Sequence, residues 1–272
     1  MKRFDPNPGL GLTPRALTIA ACLLLVLPHL VVAAVSFDPS PAAQFPPQDL
    51  SFRWYLNAYT RPAFREALGF GLLVGLGAAA IALVAGTLAS YLIVRYRFPG
   101  RGILTTLLQL PMMIPEVVLG LGFLILFSRL QMYASVLNIL LAHAVICLPY
   151  AVRVITANLQ TTARSLEEAA QVLGAGPIRT FFKVTLPVIR PGMIAAAVFA
   201  FVVSFDNFTV TAFLVTTRGT LPIEIYSYIR TESDPTVAAI STVLIVISLA
   251  GLLIVERLVG FGRITQTGGL DR

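Results

Sequence analysis

The stretch "SLEEAAQVLGAGPIRTFFKVTLP", residues 165–187, is a short polar-faced segment between long apolar runs. Ser165 and Glu168 have the spacing of a capping box, in which two side chains satisfy backbone N–H groups at the start of a helix. Apolar residues then recur at the spacing of one helical face: Leu166, Ala169, Ala170 and Leu173. This pattern predicts a short helix that begins at Ser165.

A second short helix is predicted directly after the first. Gly174 and Gly176 are typical of a helix end, and Pro177 suits the first turn of a new helix. A second apolar stripe follows, and Leu186-Pro187 is expected to end it: Ile178, Phe181, Phe182 and Thr185. Since helices this short are marginal alone, the pair must dock on something. A generic amphipathic loop at the membrane surface is the alternative.

The composition places this segment in a membrane protein. Of the 272 residues, 57% are hydrophobic and 12% are charged, and the mean hydropathy is +0.83. Soluble domains are about 45–50% apolar and about 25% charged. The sequence therefore predicts a polytopic all-α membrane protein, and its net charge of +7 is attributed to membrane topology rather than to nucleic-acid binding.

Six runs with few or no charges are each long enough for a transmembrane helix, which needs about 20 apolar residues. They are residues 16–37, 67–94, 102–128, 130–152, 191–217 and 235–255. Six spans place both termini on one side, and fourteen of the 20 basic residues fall on that side. By the positive-inside rule, that side is the cytoplasm.

This topology gives the chain three parts. The expected parts are a cytoplasmic N-terminus (1–15), a six-helix transmembrane domain (16–260) and a cytoplasmic tail (261–272). Within the domain, residues 38–66 form an extracytoplasmic loop and residues 153–190 a cytoplasmic loop. The first span is interpreted as a retained helix, because its apolar stretch exceeds the core of a signal peptide.

Two carboxylates interrupt the apolar spans. Glu116 lies in "LPMMIPEVVLG", where Pro111 and Pro115 predict a broken helix. Asp206 lies in "SFDNFTVTAF", the most polar membrane stretch. A charge at this depth usually faces a cavity or a partner. Glu116 and Asp206 either line a path for a cationic solute or fasten neighbouring helices together.

Catalytic and metal-binding patterns are absent from the sequence. No P-loop, G-x-S-x-G or H-E-x-x-H motif occurs. His143 and Cys147 have helical spacing, but two soft ligands do not make a metal site, and we expect a satisfied histidine in a helix bundle. If the protein does energetic work, the energy must therefore come from a partner or from an ion gradient.

The opening segment resembles the EAA loop of type I ABC importer permeases. That loop has the pattern E-A-A, three residues, G, nine residues, I, one residue, L-P. The matching residues here are Glu168, Ala169, Ala170, Gly174, Leu186 and Pro187, with Val184 at the isoleucine position. The resemblance implies a six-helix permease fold with a cytoplasmic coupling helix that docks on an ATP-binding cassette subunit.

Four further segments, "RYRFPGRG", "LPMMIPEVVLG", "SFDNFTVTAF" and "LPIEIYSYIR", resemble the second permease of spermidine/putrescine-type importers. An acidic residue often follows the SFD aspartate in those permeases, whereas this chain has Asn207. The resemblance implies a path lined by Glu116, Asp206 and Asn207 for an amino-group-bearing solute. A polyamine is expected first, and aminoethylphosphonate, an opine or another amino compound is the alternative.

The resemblance also implies partners and a location. These are a second and distinct permease, two ATPase subunits that bind ATP and Mg, an extracytoplasmic solute-binding protein, and the bacterial inner membrane. No cofactor or metal is expected in this non-catalytic chain. Two other classes remain as alternatives: an ion-coupled secondary transporter, which would leave the EAA-like loop unexplained, and a membrane-embedded enzyme, for which no nucleophile or metal set is present.

Overall fold

In lipid, long apolar segments fold as helices, because a helix satisfies its own backbone hydrogen bonds. The computed structural model describes residues 12–132, 136–215 and 218–259. Its helices are α1 (Leu12–Val35), α2 (Arg53–Thr60), α3 (Pro62–Arg95), α4 (Arg101–Met113), α5 (Glu116–Arg129), α6 (Val136–Thr161), α7 (Ser165–Val172), α8 (Pro177–Thr180), a π-helix (Phe181–Thr185), α9 (Leu186–Phe205), α10 (Thr209–Leu214), α11 (Leu221–Thr231) and α12 (Thr236–Val259). The all-α prediction is confirmed for this part of the chain.

The number of spans agrees only in part with the prediction. Among the described residues, four helices are long and apolar enough to cross a membrane, or five if α4 and α5 form one broken span. α12 is apolar from Thr236 to Leu249. The six-span topology and the cytoplasmic side of the termini therefore stay predictions, and residues 1–11 and the tail 261–272 lie outside the described residues.

The helix break in the third predicted span is confirmed. α4 ends at Met113, α5 begins at Glu116, and the two axes differ by 105°. Pro115 supplies no N–H group, and Ile114 before it adopts an extended backbone, as residues before proline prefer. The predicted continuous run 102–128 is thus two short helices.

The two predicted loops contain helical residues, and one predicted helix end is wrong. Residues 38–66 include α2 and the start of α3, and residues 153–161 belong to α6. Leu186-Pro187 does not end the second short helix, which runs on into α9 as one apolar helix from Pro177 to Phe205. The π-helix makes this possible: Leu186 N–H bonds to Phe181 O, and Pro187 then falls in the first turn of α9, where it loses no hydrogen bond.

The described residues form two compact units. One comprises residues up to Arg61 with Tyr228–Leu249, and the other comprises Pro62–Ser227 with the described residues from Ala250 onward. In the second unit, α3 packs against α6 and α9. Small residues allow this approach: a Cβ on Gly77 would lie 2.7 Å from Leu140 Cδ1, and one on Gly75 would lie 3.0 Å from Phe201 Cε2.

The first unit has its own polar framework. Trp54 is buried, and its indole N–H donates to the Asp38 carbonyl over 2.6 Å. Asp234 receives hydrogen bonds from the Thr236 N–H and the Tyr228 hydroxyl, both over 2.9 Å. These bonds fix the turn that leads into α12.

Candidate functional site

The coupling segment, defined here as Ser165–Thr185, contains the predicted pair of short helices. α7 ends at Val172, and Gly174 has the left-handed backbone that glycine permits, with φ +82°. Ala175 N–H bonds to Ala170 O over 3.0 Å and Gly174 N–H to Gln171 O over 2.9 Å, which is the Schellman helix end. The predicted stop at Gly174 and the start at Pro177 are confirmed.

The predicted capping box is wrong. Arg164 already has helical backbone angles before Ser165, and no side chain caps the helix. The Glu168 N–H bonds to the Arg164 carbonyl over 3.1 Å, and the Glu168 carboxylate pairs with Arg164 Nε over 3.2 Å on the surface. A capping box needs its serine in a non-helical position just outside the helix, and Ser165 is inside it.

The buried acid of α7 is Glu167, which the sequence interpretation does not single out. Glu167 Oε1 accepts hydrogen bonds from Arg95 Nε over 2.9 Å and from the Thr185 hydroxyl over 3.0 Å. The Arg95 and Glu167 side chains are only 8% and 7% exposed. Arg95 Nη2 also donates to the Thr162 carbonyl over 3.3 Å. The signal in the sequence was the pair of adjacent acids, of which a capping box uses only one.

The apolar side chains of the coupling segment point outward in this chain. Val172 and Leu173 are each 87% exposed, and the other large exposed members are Leu166, Ile178 and Phe182. α7 thus turns a charged residue inward and an apolar face outward, the reverse of a helix that packs on its own core.

The residues that match the EAA pattern occupy two parts of the fold. Glu168, Ala169 and Gly174 are exposed on α7 and its turn, and Ala170 is half-buried. The remaining three, Val184, Leu186 and Pro187, lie in the π-helix and the first turn of α9. The pattern therefore spans both the outward face and the helix that continues into the membrane core.

The second candidate site lies at the break between α4 and α5. Glu116 is the first residue of α5, where the helix dipole favours a negative charge. The Asn207 side-chain amide donates to Glu116 Oε2 over 3.1 Å, and Asn207 Oδ1 accepts from the Val210 N–H over 3.0 Å. Asn207 is buried and Glu116 is exposed. The structure thus brings two of the three predicted path residues together.

Asp206 is not part of that contact. It ends α9, and its side chain is exposed. Within the described part of the chain, its carboxylate has no hydrogen-bond or ion-pair partner. A fastening role therefore has no support for Asp206 in this chain, whereas the bond to Asn207 supports one for Glu116.

His143 links α6 to α9 and α10, as expected of a satisfied histidine in a bundle. It is fully buried, with Nδ1 2.7 Å from Ser204 Oγ and Nε2 3.0 Å from Thr211 Oγ1. The Thr211 hydroxyl donates its proton to the Asn207 carbonyl over 2.7 Å. Thr211 can therefore only accept from His143, so Nε2 carries the proton and Nδ1 accepts from Ser204.

Cys147 makes no metal site with this histidine. Its thiol donates to the Ala200 carbonyl over 3.1 Å. In the described ranges, no group of three or more potential ligands could hold a metal ion. His143 and Cys147 instead tie α6 to the chain that carries Asn207.

Known proteins resemble this chain over most of its length. Residues 79–261 match the family described as binding-protein-dependent transport system inner membrane component. The putrescine transport system permease protein PotI of Escherichia coli K12 is 34% identical over 203 residues, which cover 72% of each chain. The spermidine/putrescine transport system permease protein PotC of Haemophilus influenzae Rd is 30% identical over 210 residues, covering 77% of this chain and 81% of that one.

A solved structure has the same fold. The match is to the crystal structure of a bacterial ABC transporter involved in the import of the acidic polysaccharide alginate, with a TM-score of 0.69 and 16% identity. It covers 96% of this chain and 99% of that one. The permease fold implied by the sequence is confirmed.

Proposed function

The chain belongs to the family of binding-protein-dependent transport system inner membrane components, and from that membership we propose that it forms half of the path of an ATP-driven importer for a small amino-group-bearing solute. It is a permease subunit and carries out no catalysis of its own. ATP and Mg are bound by a separate ATPase subunit.

The coupling segment supports docking on that ATPase. Its apolar side chains, including Leu173 and Val172, are exposed while the charged Glu167 is buried. An exposed apolar patch beside polar residues marks an interaction surface. Because α7 has only eight residues and cannot be stable alone, an outward apolar face is best explained by a partner groove. This reversed polarity, at the position of the EAA pattern, is the observation that carries the proposal.

The region around Glu116, Asp206 and Asn207 is proposed as the solute path. Glu116 lies at a break in a helix, where irregular backbone is tolerated only against protein or water. Asp206 presents an exposed carboxylate with no described partner. Two exposed carboxylates attract an ammonium group, and Asn207 holds one of them in place.

A polyamine is the first candidate solute. The relatives that carry the names of putrescine and spermidine/putrescine permeases support it, and the carboxylates match a diamine's charge. Asn207 in place of a third acid favours a solute with fewer positive charges, so aminoethylphosphonate, an opine or another amino compound is the alternative. Uptake of labelled putrescine by cells with and without the chain, with unlabelled competitors of each class, separates these solutes.

We propose that the complete importer consists of this chain, a second and distinct permease, two ATPase subunits and an extracytoplasmic binding protein. The coupling segment faces the cytoplasm, where most basic residues lie. Both termini lie on the same side. This orientation is tested by labelling single cysteines in the coupling segment and in residues 38–52 with a membrane-impermeant maleimide.

Co-purification tests the docking proposal. A tagged chain in its own host should retain an ATP-binding cassette subunit, and Leu173→Glu should remove it by placing a charge in the apolar contact. Leu50→Glu, at a leucine that is 80% exposed outside the coupling segment, is the matched control.

Two results would contradict the proposal. One is retention of the ATPase by Leu173→Glu as well as by Leu50→Glu. The other is solute uptake that survives ATP depletion but not an uncoupler, which would favour the ion-coupled secondary transporter.

A further inference from the structure

Four chain segments converge on one buried ion pair. Arg95 is the last residue of α3, Thr162 directly follows α6, Glu167 lies in α7, and Thr185 is the last residue of the π-helix before α9. A single oxygen, Glu167 Oε1, accepts from both Arg95 and Thr185. A single carboxylate oxygen of α7 therefore contacts both α3 and the helix that continues into α9.

We propose that Glu167 is the positioning residue that divides the movement of α7 between α3, through Arg95, and α9, through Thr185. The proposal rests on the proposed function, since it requires that a partner moves this segment. Glu167 touches neither solute nor ATP, and it acts through the two helices that it holds.

Few other side-chain contacts hold α7 within the chain. Val172 is 87% exposed and Leu166 is 48% exposed, so these apolar side chains add little packing. The surface pair Arg164–Glu168 is more than 60% exposed on both sides, and such pairs contribute little because water and salt screen them. The buried contact of Glu167 is the strong one, since charge-assisted hydrogen bonds strengthen where water is excluded.

The hydrogen bonds of Glu167 to Arg95 and to Thr185, here called the Arg95 arm and the Thr185 arm, lead to different helices. α3 packs along both α6 and α9, and α6 carries the buried His143. α9 ends at Phe205, next to Asp206 and Asn207 of the proposed path. A shift of α7 passed through Thr185 thus reaches Asp206 and Asn207 along α9, and one passed through Arg95 reaches them through the packing of α3 on α9.

The π-helix adds a reason for the Thr185 arm. π-helical turns are rare and often occur at functional sites, because the extra residue lets a helix change register locally. Here the π-helix spans Phe181–Thr185, and its start is packed against α3 by Phe181 and Tyr91, whose ring centroids are 4.8 Å apart. The bond from Thr185 to Glu167 fixes the other end of this adaptable turn.

The experiment measures how the path responds to ATP in the assembled complex, so the solute need not be known. A cysteine at the path (Asp206→Cys, in a Cys22→Ala background) reports accessibility through its maleimide labelling rate, with and without ATP plus vanadate. Glu167→Gln keeps an oxygen acceptor for both donors, whereas Glu167→Leu removes it. Thr185→Ser and Thr185→Val form the second matched pair.

We expect the ATP-dependent change in labelling to fall at least about tenfold in Glu167→Leu, which loses two buried hydrogen bonds to a carboxylate, and to fall less in Thr185→Val, because the Arg95 arm remains. Glu167→Gln should keep only part of the response, because it retains the oxygen acceptor but not the charge that pairs with Arg95, and Thr185→Ser should respond like the parent. Glu66→Leu, which removes an exposed carboxylate from the same helix as Arg95, is the control.

Responses of Glu167→Leu and Thr185→Val equal to the parent would overturn the proposal and leave the importer function standing. If Glu167→Leu does not assemble, equal responses of the two Thr185 variants would overturn it instead. A parent complex without any ATPase would defeat the proposed function itself.

Discussion

Asn207 donates its side-chain amide to Glu116 Oε2 over 3.1 Å, and so joins the start of α5 to the chain between α9 and α10. The bond needs an oxygen acceptor at position 116 but not a charge. A solute path for cations needs the charge. The two roles of Glu116 can therefore be separated by one substitution.

Glu116→Gln should leave the subunit as stable as the parent, because the glutamine oxygen still accepts from Asn207. Uptake of the cationic solute should fall by about tenfold in kcat/KM, since about 1.4 kcal/mol of charge attraction corresponds to that factor. Thermal unfolding checks the unchanged stability, and transport assays check the reduced uptake. Asn207→Leu is the converse variant, which should lower the melting temperature, and unchanged uptake by Glu116→Gln would limit Glu116 to fastening.

Thr211→Val should destabilise the bundle around His143. The isosteric valine leaves His143 Nε2–H and the Asn207 carbonyl without partners, at a cost of about 1–3 kcal/mol or a melting temperature lower by about 3–10 °C. Thr209→Val is the control, because Thr209 is half-buried and its side chain makes no hydrogen bond within the described residues. Equal melting temperatures of the two variants would show that the His143 network contributes nothing.

Gly174→Val should weaken ATPase docking through the backbone alone. A Cβ at Gly174 meets no atom within 4 Å, but φ is +82°, which costs a non-glycine residue about 1–2 kcal/mol. Asparagine tolerates this conformation, so Gly174→Asn should retain more ATPase in co-purification than Gly174→Val. Retention that is the same for both variants would mean that the turn does not set the docking geometry.

The Asp234 carboxylate should make stability sensitive to acid. Burial alone raises its pKa, but hydrogen bonds from Thr236 and Tyr228 and the charge of Arg61 outweigh it, so the pKa lies below its ordinary value of 3.8. A lowered folded-state pKa stabilises above the unfolded pKa, and that stability is lost as pH falls through the folded pKa. Melting temperatures between about pH 5 and 2 should fall more steeply for the parent than for Asp234→Asn. Parallel curves would contradict this assignment.

Local chemistry explains which features could be predicted from the sequence. Gly174, Pro177 and Pro115 act on their own backbone, through φ or a missing N–H, so their turn and break follow from position alone. Gly75 and Gly77 likewise act through what they lack, since a Cβ at either position would crowd the neighbouring helix. These are constraints that a residue imposes wherever the rest of the chain lies.

The role of Glu167 depends on distant residues and could not be predicted in the same way. Glu167 and Glu168 are adjacent and chemically identical, and only the position of Arg95, 72 residues earlier, decides which one is buried. Leu166 and Leu173 of the predicted apolar stripe are exposed, and this outward orientation could not be predicted because it depends on the burial of Glu167 against Arg95. The prediction that Pro187 ends a helix was also wrong. The preceding π-helix places Pro187 in the first turn of α9, where its missing N–H loses no hydrogen bond.

The helix break before Glu116 has a consequence for the rate of the proposed transport. A binding site that holds one solute molecule too tightly blocks the next one. Fast transport therefore requires sites that release the solute as readily as they bind it. A carboxylate on a helix N-terminus is already partly neutralised by the dipole, and Asn207 satisfies one of its oxygens. On the proposed path, release of a cation from Glu116 would therefore cost little free energy, and the carboxylate would hold the solute only briefly.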